Sequence, residues 1–108
     1  MADVLMKQCD VFSNPSERAN PNIPFVVVLQ ADRVFHTTTI VVAPLIKAER
    51  LREDQGLYPV FEINGVRVGL SITELATVPR RVLKSYVTSL ERERHRIIRS
   101  IDSLFSEA

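Results

Sequence analysis

Two histidines, one cysteine and a run of arginines are the side chains of this 108-residue chain that could do chemistry. Nucleophilic or hydrolytic catalysis needs a nucleophile with a base positioned beside it. His36 stands on a predicted turn and His95 on a charged helix face, and neither has a recognisable motif around it. A solvent-facing imidazole is the plainer reading of both. Cys9, the single cysteine, cannot make an internal disulfide or a cysteine-cluster metal site alone, so it reads as a small buried apolar residue in a reducing setting. Gly56, Gly65 and Gly69 are the only glycines, and none belongs to a GxGxxG or P-loop pattern that would cradle phosphate. "NPS" at Asn14 is excluded as a glycosylation acceptor by its central proline. No catalytic residue, no cofactor and no metal site is expected.

The segment "ERERHRIIR" (Glu91 to Arg99) carries Arg92, Arg94, Arg96 and Arg99, which could hold phosphates. Helical spacing offers them another use. Glu91 meets Arg94 and His95, Glu93 meets Arg96, and Arg99 meets Asp102, so the charges can support the helix itself. Only Tyr58, Tyr86 and phenylalanines in core patterns could stack on bases. A solvated helix face is therefore favoured over a direct nucleic-acid site. The whole-chain charge agrees: 14 Lys and Arg against 13 Asp and Glu leave a net charge of +1.

Elements that could position these residues follow from composition and period. The length suits one domain, residues 1–108. No stretch approaches the about 18 apolar residues of a membrane span, and "MADVLMKQCD" places Asp3 and Lys7 where a signal peptide needs an apolar run. A soluble, cytoplasmic protein is expected. A first strand is predicted from Val4 to Phe12, followed by the Pro- and Asn-rich loop "SNPSERANPNIP". "PFVVVLQ" (Pro24 to Gln30) and "TTTIVVAP" (Thr37 to Pro44) read as two central strands. Leu45 to Gly56 reads as a short helix or an ordered loop. In "YPVFEINGVRVGL", two apolar runs flank Asn64-Gly65, the dipeptide of a type I′ hairpin turn. "RVLKSYV" reads as another strand after the "TVP" turn, and Thr88 with Glu91 as a capping box opening a helix from about Ser89 to Phe105. Its stripe of Leu90, Ile97, Ile98, Ile101, Leu104 and Phe105 must bury against the sheet or another subunit. Phe105 is expected to close that stripe as a core residue. The sum is a small α+β domain.

The order of "CDVFSNP", "FVVVLQAD", "TTTIVVAPL", "LYPVFEINGVRV", "TELATVP" and a closing helix resembles the CcdB toxins over nearly the whole chain. "LYPVFEI", the "ATVP" turn (Ala76 to Pro79) and the "VAPL" strand end (Val42 to Leu45) are the most specific parts. The resemblance implies a small SH3-like antiparallel barrel or sheet with a C-terminal helix. It also implies a homodimer, here expected to bury the helix stripe, that acts by binding protein and not by turnover. The implied target is the A subunit of DNA gyrase, trapped after DNA cleavage, and the implied neutraliser is a cognate CcdA-like antitoxin that folds on contact.

Against that family pattern the chain departs at its tip. Where the family closes with Gly-Ile, often after Trp, this sequence has Ser106, Glu107 and Ala108. Loss of an aromatic anchor removes the kind of residue that dominates interface energies, on the order of 2 kcal/mol or more. In "VLQADRV", Val28 replaces an Asp of the pattern and Arg33 an apolar residue, while Asp32 and Val34 are kept. His95 corresponds to a polar contact position on the helix. The resemblance thus nominates Arg33, Val34, His95, Phe105, Ser106, Glu107 and Ala108 as the gyrase-facing set. Two readings stay open: a gyrase poison, or a protein of this fold with an altered or lost target.

Overall fold

The computed structural model describes residues 6–34, 37–51 and 58–106. Seven antiparallel strands form one curled sheet: β1 (Asp10–Ser13), β2 (Phe25–Val28), β3 (Thr39–Lys47), β4 (Val60–Ile63), β5 (Val66–Leu70), β6 (Ala76–Pro79) and β7 (Tyr86–Ser89). One helix, α1 (Arg94–Phe105), closes the described chain. The strand path is β4-β5-β3-β2-β1-β7, and β6 joins β3 beside β5. This is the expected α+β, SH3-like arrangement.

Alternation along the central strands creates two apolar faces. Val11, Val27, Ala43 and Leu45 point into the larger core with Phe61, Leu70 and Ile72, while Phe12, Val26, Val28, Ile40 and Val42 form a smaller one with Met6 and Leu83. A strand buried on both sides has no polar positions to spare, which explains the unbroken "FVVV" of β2. The helix covers the larger face through fully buried Ile97, with Ile101 and Leu104 packed beside it. Leu90, Ile97, Ile101 and Leu104 of the stripe are thus packed within their own chain, which corrects the expectation that a homodimer buries it.

The hairpin forms as read. Asn64 and Gly65 take φ of 51° and 77°, and Ile63 pairs with Val66. Other expectations shift for physical reasons. Strand β1 starts only at Asp10, because Lys7–Asp10 closes a turn: the Asp10 carboxylate accepts the Lys7 N–H at 2.8 Å, and Cys9 sits in the left-handed region at φ 77°. The predicted strand at Val4 and Leu5 lies outside the described residues.

Strand β3 does not stop at Pro44 but runs on to Lys47, so the predicted helix or loop from Leu45 begins as strand, passes through a 3-10 turn at Ala48–Arg50, and leaves the described residues after Leu51. Pro44 is tolerated because β3 changes partner there: Thr39 to Val42 pair with β6, and Leu45 to Lys47 with β5. The proline's missing donor falls in the gap, where its carbonyl accepts the Ser71 N–H at 3.1 Å.

"ATVP", read as a turn, is strand β6, and "RVLKSYV" is strand only from Tyr86, the residues Arg80–Val82 forming a 3-10 turn. The helix also begins late. Ser89 is held in β7 opposite Asp10, Glu91–Glu93 form a 3-10 turn, and the α-helix proper starts at Arg94 with no side-chain cap. In place of the Thr88 capping box, the Ser89 hydroxyl accepts the Glu91 N–H at 3.2 Å.

Phe105 is 72% exposed and does not close the stripe. At about 100° per residue, Leu104 falls within about 20° of Ile97 around the helix, whereas Phe105 is turned about 80° from it. Ile97→Ala is accordingly expected to cost about 2–5 kcal/mol by leaving a cavity in the larger core. Phe105→Ala should cost less than about 0.5 kcal/mol, as substitutions at exposed positions do. Urea unfolding of both variants checks the contrast.

Candidate functional site

Five of the seven nominated residues lie in the described structure, and all five are exposed: Arg33, Val34, His95, Phe105 and Ser106. Glu107 and Ala108 lie outside the described residues, as does His36. The five are carried by two elements.

Arg33 and Val34 belong to a 3-10 turn, Asp32–Val34, that links β2 to β3. The turn is strapped at both sides by glutamine side chains. Gln30 donates from Nε2 to the Val34 carbonyl and to Thr37 Oγ1 at 2.8 Å, while its Oε1 accepts the Val41 N–H at 3.1 Å. The Asp32 carboxylate accepts the Gln8 N–H at 2.7 Å, and Gln8 Nε2 donates to the Leu29 carbonyl at 2.8 Å. Arg80 reaches in from beyond β6, with Nε donating to the Thr37 carbonyl at 3.1 Å. Val34, 43% exposed, is thereby presented on a braced support. Gln8 and Gln30 were missed from the sequence; a glutamine at a strand end carries no periodic signal, and only its partners reveal it.

The other patch is the helix. His95 sits one residue into α1, and Phe105 ends it, ten residues on. That spacing separates them by about 15 Å along the axis and about 80° around it. They do not form one compact site. Phe105 instead shares a flank with half-buried Ile98 seven residues before it. Ser106 leaves the helix in extended conformation, its N–H donating to the Asp102 carbonyl at 2.8 Å.

Of the charge pairs expected along Glu91 to Asp102, one is present among the described residues: Arg96 Nη1 to Glu93 Oε1 at 2.9 Å. The pairs of Glu91 with Arg94 and His95, and of Arg99 with Asp102, do not form, because exposed side chains at such spacing gain little by pairing. Arg96 does more than pair: its guanidinium lies 4.7 Å from the centre of the Phe61 ring and donates to the Val60 carbonyl at 3.1 Å, tying α1 to the sheet edge.

Two ionisable groups, Cys9 and Asp10, are buried in the fold. Cys9 is fully buried; its N–H donates to the Val28 carbonyl and its carbonyl accepts the Leu90 N–H, both at 2.8 Å. Burial pushes its thiol up to about 11, against weaker help from Arg94. Asp10, also buried, has its carboxyl raised by desolvation, opposed by the Lys7 N–H bond. Among the described residues no His, Cys, Asp and Glu group could hold a metal ion, and no helix is long and apolar enough to cross a membrane.

The family model described as CcdB protein matches residues 8–106, which include both exposed patches. No curated protein matches the chain significantly.

Because the folded thiol of Cys9 holds its proton more tightly than an unfolded one, its contribution to stability is complete below pH 9 and is lost as pH rises toward about 11. Urea midpoints of the wild type should therefore fall relative to those of Cys9→Ala across that window. Parallel pH curves would show that the thiol is not the group responsible.

Proposed function

The chain belongs to the CcdB family, and on that premise we propose that it is the toxin of a type II toxin–antitoxin pair. It works in the cytoplasm as a homodimer, binds the A subunit of DNA gyrase, traps the enzyme with its DNA cut, and is neutralised by a cognate antitoxin. Its action is stoichiometric binding: a ligand that prefers one state of its target shifts the target toward that state by its differential affinity.

The observation that carries this reading is Phe105. A large aromatic ring, 72% exposed at the end of a helix anchored by Ile97, is the kind of group that supplies interface energy without being needed for the fold. Val34 adds a second exposed apolar contact on its braced turn, and Arg33 beside it supplies a cation. Glu107 and Ala108 complete the proposed gyrase-facing set with His95 and Ser106.

A second reading, in which the fold has moved to another protein target, is favoured by Ser106. This exposed serine stands where the family pattern carries an aromatic residue, so one anchor of that pattern is missing. The two readings separate in a cleavage assay with gyrase of the source organism, relaxed plasmid and purified protein. Accumulation of linear DNA is expected, reduced at least tenfold by Phe105→Ala at unchanged circular dichroism. A folded dimer that yields no linear DNA would instead establish the second reading. Light scattering at micromolar concentration should give twice the chain mass of 12.3 kDa; the mass of a single chain would refute the homodimer.

A further inference from the structure

Between the outer edge of β4 and the flank of α1 lies an open cleft of about 360 Å³. Tyr58, Pro59 and Val60 form one wall, and Arg96, Arg99, Ser100 and Ser103 the other. The four helical residues follow i, i+3, i+4 and i+7 spacing, so they make one stripe along α1. Its two serines are too small to close the helix onto the strand.

Among the described residues strand β4 pairs with β5 alone. The two-residue turn at Asn64-Gly65 makes Ile63–Val66 and Phe61–Val68 the mutually hydrogen-bonded pairs, which turns the backbone groups of Val60 and Glu62 outward. Arg96 confirms that geometry by donating to the Val60 carbonyl at 3.1 Å. The Val60 N–H and both backbone groups of Glu62 have no partner among the described residues.

The helical wall is positive. Arg96 is held in place by Glu93, by Val60 and by the Phe61 ring. Arg99, one turn further, is exposed and has no ion pair or hydrogen bond among the described residues. Among the described residues no acidic side chain lines the cleft, and Glu62 is carried by the pleat to the face opposite Phe61.

We propose that this cleft docks an extended, acidic segment of a protein partner, which adds as a strand along β4 and sets carboxylates against Arg99 and Ser103. Backbone pairing along the edge supplies affinity, and the arginines select the sign of the side chains. The Glu93 carboxylate at 2.9 Å from Arg96 shows the contact such an acid would make. A free phosphate would engage the guanidinium and leave the strand edge unused, so a peptide fits the two walls better. The site is separate from the gyrase-facing residues, and its test needs no gyrase.

The probe is a fluorescein-labelled octapeptide of four Val-Glu repeats, with four Val-Lys repeats as control, titrated by anisotropy at low salt against the full chain. The acidic peptide should bind at least tenfold more tightly and shift the amide resonances of Val60, Glu62, Arg99 and Ser103. Arg99→Glu should weaken it at least tenfold. Glu62→Pro, which removes an outward N–H from an edge strand that tolerates proline, should weaken it as well, with melting curves reporting that each variant folds. Equal binding of the two peptides would overturn the proposal. So would no binding at millimolar peptide, shifts confined to the Phe105 end of α1, or displacement of the peptide by a DNA duplex.

Discussion

Val26, Val27 and Val28 leave β2 without a side that water can reach, and the rest of the molecule is arranged around that constraint. One face takes α1, whose Ile97 is fully buried; the other takes Met6, Leu83 and the segment that follows β6. A chain of this length cannot cover a flat sheet twice, so the sheet curls. Strand β3 is where the curl is accommodated: it leaves β6 for β5 within two residues, and Ala43 and Pro44 occupy the interval. Proline is an asset at that point. A residue with a free N–H there would need a partner that the gap lacks.

Features fixed by neighbouring residues were legible in the sequence, and features fixed by distant ones were not. The Asn64-Gly65 hairpin is decided by two adjacent residues that accept positive φ, and β2 by its own unbroken apolar run. Strand β6 has no such signature, since Ala76 to Pro79 is short, ends in proline and is a strand only because Thr39 to Val42 lie beside it. The late start of β1 comes from a carboxylate closing the turn before it, and the late start of α1 from Ser89 being held opposite Asp10. Phe105 was misplaced by treating neighbouring residues as one face when the helix turns by about 100° between them.

For the candidate site, the exposure of His95 was readable, while that of Phe105 and the supports of the turn were not. His95 stands on the surface as its charged helix surroundings suggested, and Arg33 and Val34, nominated by the resemblance, are exposed as well. The bonds from Gln8 and Gln30 that brace the Arg33–Val34 turn depend on three-dimensional neighbours, as does the hold of Arg96 on Val60 and Phe61. The same contacts explain why the arginine run is less free for phosphate than its composition implies: Arg96 is committed to the fold, whereas Arg99 is not.

The same division holds for the rest of the described residues. Cys9 and Asp10, buried ionisable groups with altered proton affinity, sit at the start of β1, which is paired on both sides. Of the exposed groups, Phe105 stands on a helix whose other side is packed into the core, and Arg33 and Val34 on a turn braced by Gln8 and Gln30. Phe105 makes the point most directly. Leu104 before it packs against the core, so the helix end is already fixed, and the ring gains little by remaining in water. Burying such a side chain is worth roughly 1.5–3 kcal/mol, and here that free energy is realised only when a partner covers it. An anchor whose burial is deferred to a complex contributes to binding without being spent on folding.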